Sequence, residues 1–339
     1  MKVGLDAYTL RESKLDVWEL IDWIVAHRLE GMQVSHTLLE DLSTDQIQDL
    51  AGCNRNLGLY LELAGPSINP CRGRRTVADV VAEWVELISR AAALGAPLAN
   101  TSFGLLRERT MQSPALEEQI GLTTEVLRQL APVGEAHNVA ITVELHVDLT
   151  SRELVRMVEA VDSRFIGVNL DTANALGLME DPVEAAERLA PFVRTVHLKD
   201  SCVYPAPGGY NWQGGSVLGR GLVDLPTIVD ILYAANPDVN LNIEDSGGYL
   251  LIPVDDPRFF DSLTELTPQG VMNFNRLLLA GEQLVRTGLQ PTPEESDRML
   301  WADVIEGRMH LNAEFARRLR DDVVARHTQD KRNGSEDVA

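Results

Sequence analysis

Short apolar runs of period two recur eight times in the first three-quarters of this chain, and longer stretches of helical period separate them. The runs are KVGLDAYT (2–9), GMQVS (31–35), GLYLELAG (58–65), PLANTSFG (97–104), VAITVELH (139–146), FIGVNLDT (165–172), RTVHLKD (194–200) and NLNIEDS (240–246). The segments between them read as helices with one apolar face. In LDVWELIDWIVAHR, Val17, Leu20, Ile21, Ile24 and Val25 share a face, while Asp16, Glu19 and Asp22 lie largely off it. Helix starts are signalled as well: Thr150 followed by Glu153 suits a capping box, and Ser113-Pro114 suits an N-cap with proline at the first helical position. Strands joined by helical crossovers run parallel, and eight of them close on themselves. An open doubly wound sheet would carry a glycine-rich phosphate turn near its start, and none is present. The expected fold is therefore α/β: a (β/α)8 TIM barrel over residues 1–254, a helical C-terminal extension over 255–330 and a disordered tail at 331–339.

Bulk properties narrow the function. Thirty basic against fifty-one acidic residues give a net charge of −21, a field that repels phosphate backbones and argues against a nucleic-acid partner. No apolar run reaches the ~20 residues that cross a bilayer, and MKVGLDAYTL lacks the layout of a signal peptide, so a cytoplasmic protein with no membrane partner is expected. Cys53, Cys71 and Cys202 are odd in number and show no CxxC spacing, which disfavours both a disulfide framework and a thiolate zinc site.

In a barrel of this kind the chemistry sits at the C-terminal ends of the strands, where alternate residues point inward. If Ile141, Val143 and Leu145 face the helices, then Thr142, Glu144 and His146 face in. The same parity turns Asn169 and Asp171 inward on strand six, Thr195, His197 and Lys199 on strand seven, and Asn242, Glu244 and Ser246 on strand eight. Four consecutive strands thus each send one metal-competent group, Glu144, Asp171, His197 and Glu244, to the same end of the barrel. Taken singly, each acid also reads as a helix cap or a solvated loop residue. Taken together, three carboxylates in a partly desolvated site repel one another unless a cation compensates. One divalent metal ion is the expected cofactor; oxygen-rich ligation with one histidine suits Mn²⁺ or Mg²⁺, and Zn²⁺, Co²⁺ or Fe²⁺ also fit.

The segments TVELH, GVNLDTANAL, VHLKD, GRGLVDLPTIVDIL and NIEDS resemble those of the xylose-isomerase-like barrel superfamily, over roughly residues 1–250. That group includes sugar isomerases and epimerases, endonuclease IV and several lyases. The resemblance implies that Glu144, Asp171, His197 and Glu244 bind the metal and that Glu144 and Glu244 also act as acid and base on a chelated substrate. Many isomerases of the group have a histidine three residues after the strand-six aspartate; here that substrate contact is Asn174. Endonuclease IV uses a histidine-rich three-metal cluster, which this chain lacks at its strand ends. The ELH of strand five, the Asp-Thr-Ala-Asn turn and the helical tail are similar to lyase members, namely the α subunit of C-glycoside deglycosidases, which works with a small β subunit, and 3-oxo-isoapionate decarboxylase.

The resemblance thus implies a metal-dependent lyase acting on an oxidised (3-keto) sugar or glycoside through an enediolate. An isomerase or epimerase on a keto sugar, or a non-catalytic metal-binding subunit, are the alternatives. His146 is the candidate general base or acid, or else a second-sphere histidine. Lys199 reads either as a substrate or oxyanion contact or as a salt bridge to Asp171 or Glu144, and Asp200, of opposite parity, as structural. Glu62, Asp6 and Tyr8 are expected to line the sugar pocket, with His36 a weaker candidate. The long segment SCVYPAPGGYNWQGGSVLGRG (201–221) reads as a lid or partner contact, in which Tyr204, Tyr210 and Trp212 stack on substrate or pin the loop, and Arg220 reaches a substrate oxygen. The apolar faces of the tail, including Leu277, Leu278, Leu284 and Met299, cover the barrel or bind another chain, so an oligomer is expected.

Overall fold

The computed structural model describes residues 1–336, with side chains described through residue 329. Eight parallel strands, β1 (Val3–Asp6), β2 (Gly31–Ser35), β3 (Tyr60–Ala64), β4 (Leu98–Thr101), β5 (Ala140–Glu144), β6 (Ile166–Asp171), β7 (Val193–Leu198) and β10 (Asn240–Ile243), form a closed barrel in which β1 pairs with both β2 and β10. All eight fall inside the runs of period two, except that β7 starts one residue earlier. Outside lie α1 (Val17–Ala26), α2 (Thr44–Leu57), α3 (Val77–Leu94), the single turn α4 (Leu106–Arg109), α5 (Leu116–His137), α6 (Ser151–Val161), α7 (Pro182–Leu189) and α8 (Leu225–Ala235). The first helix buries Val17, Leu20, Ile21 and Ile24 against the sheet and leaves Val25 nearly half exposed, so the apolar face is narrower than its sequence pattern. Thr150 and Glu153 form the capping box at α6. At α5 the helix begins at Leu116 with Ala115 as its cap, so Ser113-Pro114 precedes the helix and does not open it.

Two features depart from the sequence expectation. The segment 201–221, read as one long loop, carries strands of its own: β8 (Val203–Ala206) and β9 (Gly209–Gln213) form a hairpin, and β11 (Tyr249–Ile252) joins as a third antiparallel strand. The barrel also does not end at residue 254. Its last strand is followed by an excursion through β11, α9 (Pro257–Phe260), α10 (Pro268–Arg286) and α11 (Pro293–Asp297), after which α12 (Trp301–Glu336) returns to pack on α8, β1 and β10. Ile305, Met309, Ala313, Ala316, Leu319 and Val323 of α12 are buried at helical spacing. This helix therefore takes the eighth outer position of the barrel, and the segment 244–300 is an insertion before it. Helix continues through residues 331–336, where a frayed tail was expected, and 337–339 lie outside the described residues.

The insertion covers the hairpin. Helix α10 lies against β8, where a Cβ at Gly281 would collide with the Val203 carbonyl. Leu277 and Leu278 pack on the core and Leu284 is half-buried, whereas Met299 is exposed. Among the described residues no helix is long and apolar enough to cross a membrane.

Candidate metal centre

At the C-terminal mouth of the barrel, Glu144 ends β5, Asp171 ends β6, His197 lies on β7 and Glu244 follows β10. Each offers one ligand atom, these atoms lie within 4.8 Å of one another, and all four residues are buried. Alternation along the strands accounts for the convergence, because the neighbours Val143, Leu170, Leu198 and Ile243 all bury outward against the helices.

The surroundings leave particular atoms aimed at the centre. Asp171 Oδ1 accepts from the backbone N–H of Ala173 and Asn174 at 2.8 and 3.0 Å, which fixes the carboxylate and leaves Oδ2 buried without a directed hydrogen bond. His197 Nε2 lies 3.0 Å from Gln33 Oε1. The Gln33 amide is oriented by donating to Glu62 at 3.2 Å, so its oxygen faces the ring, Nε2 carries the ring hydrogen and Nδ1 turns its lone pair to the cluster. His197 Nδ1 is 2.8 Å from Glu244 Oε2 and 3.6 Å from Glu144 Oε1, so two of the three carboxylates crowd this one buried nitrogen. Glu144 is braced by the side-chain amides of Asn100 at 3.3 Å and Asn174 at 3.4 Å.

Lys199 answers part of the charge. Its Nζ is 2.8 Å from Asp171 Oδ2 and 2.7 Å from Glu244 Oε1, and it donates to Asn174 Oδ1 at 3.3 Å. Of the two sequence readings for this residue the ion pair is realised, with Glu244 as a partner in place of Glu144. Three carboxylates against one ammonium leave two negative charges, the amount a divalent ion balances. Burial pushes Asp171 up to about 6 even beside Lys199. Burial would lower the His197 pKa, yet Glu144, Asp6 and Glu244 together raise it well above the usual value, so a cation bound at Nδ1 must displace a proton there, and the two negative charges are left once the ring is neutral. The donor set fits a hard or borderline divalent cation: three carboxylates and one imidazole nitrogen whose ligand atoms lie within 4.8 Å of one another.

Glu144, His197 and Glu244 line the floor of a cavity of about 580 Å³, and Asp171 is fully buried beside them. His146, Asp6, Tyr8, Trp212 and Lys199 line it. His146 is half-buried, and its Nδ1 is buried without a hydrogen-bond partner. Trp212, on β9, holds its ring 5.8 Å from Lys199 Nζ and donates to the Ala173 carbonyl at 3.3 Å.

Other expectations are corrected. Glu62 does not line the cavity: it is fully buried a layer below, where Gln33, Thr195, Asn240 and Asn242 all donate to it. Asn174 is likewise fully buried and off the cavity wall, its amide spent on Glu144, the Leu145 carbonyl and Lys199. Arg220 is exposed and away from the cavity, because Asp200 gathers the N–H groups of Gly219, Gly221 and Val223 and turns the loop outward. Tyr210 donates to the Leu176 carbonyl and packs on Phe274, and Tyr204 sits edge-on to Tyr249, so both pin the hairpin and neither faces the cavity. His36 pairs with the Ala64 carbonyl outside the cavity.

A closed α/β barrel with a buried acid and imidazole cluster at its C-terminal mouth defines the class of protein. The chain belongs to the xylose isomerase-like TIM barrel family, which it matches over residues 21–258. It is 26% identical over 211 residues to 3-oxo-isoapionate decarboxylase of Pectobacterium atrosepticum, covering 62% of this chain and 70% of that protein. It is 33% identical over 104 residues to the uncharacterized protein YihM of Escherichia coli, covering 30% and 31%. Among solved structures, D-psicose 3-epimerase from Clostridium cellulolyticum with D-tagatose superposes with a TM-score of 0.58 at 18% identity, covering 86% of this chain and all of that one. The IolI protein with a bound zinc atom superposes with the same score at 16% identity, covering 83% and 99%; at such identities the likeness speaks to fold alone.

Proposed function

We propose that this chain is a divalent-metal-dependent lyase that breaks a carbon–carbon bond in an oxidised (3-keto) sugar derivative, of the C-glycoside deglycosidase α-subunit type. The observation that carries the reading is the convergence of Glu144, Asp171, His197 and Glu244, three of which line a sugar-sized or larger cavity. Bound there, a divalent ion, Mn²⁺ by preference, would supply a Lewis acid for oxyanion charge developing on the ketone and its neighbouring oxygen. The chain's own groups do the rest. His146 moves the proton on the carbon beside the ketone, with its Nδ1 free of other partners. Lys199, anchored by Asp171 and Glu244, presents positive charge to substrate oxygens. Loss of that proton and departure of the carbon substituent, which takes up a proton in turn, complete the elimination.

The far wall of the cavity supports a substituent larger than a sugar. Leu10, Leu15, Leu20, Leu38 and Tyr8 line it, a surface suited to an apolar or aromatic aglycone. Similarity to 3-oxo-isoapionate decarboxylase supports a second reading, in which a carboxylate leaves as CO₂. Epimerisation is weakened because Asn174, at the position of the histidine that many epimerases of the group carry, has its amide committed to protein groups.

The test offers the metal-loaded protein a 3-oxo-C-glycoside, a 3-oxo sugar acid and a ketohexose in D₂O, with and without any small second subunit that co-purifies. Aglycone release is expected. CO₂ release in its place selects the decarboxylase, deuterium in recovered ketohexose selects an epimerase, and inertness toward all three leaves a non-catalytic metal-binding subunit.

A further inference from the structure

The strand-eight ligand is held from outside the barrel. Asp245, next to Glu244, is fully buried and points to the opposite side of the strand, as alternation requires. There Arg308 of α12 grips it with two parallel bonds, Nε to Oδ2 and Nη2 to Oδ1, both 2.8 Å. Asn312, one helical turn on and fully buried, donates to Asp245 Oδ2 at 3.1 Å. The same two side chains also fasten the loop after the hairpin: Arg308 donates to the Gly215 carbonyl at 3.2 Å, and Asn312 Oδ1 accepts from Leu218 N at 2.9 Å. Gly215 must be glycine for this approach, since a Cβ there would collide with Asp245. Thr9, in the 3-10 turn that follows β1, accepts from Asp245 N at 3.1 Å, and Trp301 donates to the Thr9 carbonyl at 3.2 Å.

Resting on the metal reading above, the structure assigns Arg308 and Asn312 as positioning residues that set the direction of Glu244 toward the cluster by locking Asp245. A two-bond guanidinium clamp on a buried carboxylate removes rotation about the strand axis, and the adjacent carboxylate inherits that orientation. The signal is invisible within the barrel strands because both residues arrive from sixty or so positions downstream. Lysine cannot reproduce the fork.

The test titrates Mn²⁺ into chelator-stripped full-length protein by calorimetry, for the wild type, Arg308→Lys, Asn312→Ala and the control Arg326→Ala, whose side chain pairs with Asp230 on the outer surface of α8. Circular dichroism and thermal unfolding establish which variants are folded. Folded Arg308→Lys or Asn312→Ala is expected to bind Mn²⁺ roughly 10-fold or more weakly, the usual effect of losing an outer-sphere partner, with Arg326→Ala unchanged. Wild-type affinity in either folded variant overturns the positioning role. Failure of the wild type itself to take up Mn²⁺ overturns the metal reading, and the positioning role with it.

Discussion

In the proposed reaction, His146 and Glu244 have separate jobs in one cavity. His146 carries no bond to the cluster residues, whereas Glu244 Oε2 lies 2.8 Å from His197 Nδ1 inside it. Replacing His146 by Gln is expected to lower kcat by about 10²–10⁴ with Mn²⁺ affinity retained, while Glu244→Gln loses both; turnover and calorimetry on the two variants check this. Asp200 makes a pH prediction. Burial holds its carboxyl up at about 6 despite the backbone N–H groups pointed at it, against an ordinary 3.8 when unfolded. The native state therefore binds the proton more tightly, and the contribution of this group is complete below the unfolded value and lost as pH rises through about 6. The stability deficit of Asp200→Asn relative to wild type, read from urea denaturation, is expected to be larger near pH 5 than near pH 7. The four cluster residues were legible because parity on adjacent strands is a local property. Gln33 and Asn100 carried the same signal, an amide at an inward position of GMQVS and PLANTSFG, and passed unread because an amide is not a ligand type.

Elements were legible to the extent that their pattern was self-contained. The barrel strands were, since each alternates within a few residues. The hairpin β8–β9 had its own signal, a Pro-Gly-Gly turn between strands bearing Tyr204, Tyr210 and Trp212, but its pairing with β11 joins residues about forty apart, and no local period reports that. Helix α12 was legible as a helix and not as the eighth barrel helix, because its place depends on which face meets β1 and β10. A chain ending at residue 300 would expose the faces of α8, β1 and β10 that Ile305, Met309 and Leu319 cover. Such a truncation is expected to lose the cooperative thermal transition, and a native-like melt from it would show that α12 is an appendage.

At the scale of the molecule, a net charge of −21 surrounds a mouth where three acids are already crowded, so the folded chain gains from cations where they can be held. A ligand that binds only the native state raises the unfolding temperature by mass action. Loading with Mn²⁺ is therefore expected to raise Tm above that of the chelator-treated protein, an effect absent from Asp171→Asn. The sequence could name this cluster and favour Mn²⁺ or Mg²⁺ because donor types were visible, whereas the cavity's shape was not. The most direct measurement is elemental analysis of the protein after stripping, reloading and dialysis. One divalent ion per chain, lost in His197→Ala and Glu244→Gln, is the predicted result; no retained ion, or the same content in those variants, would contradict it.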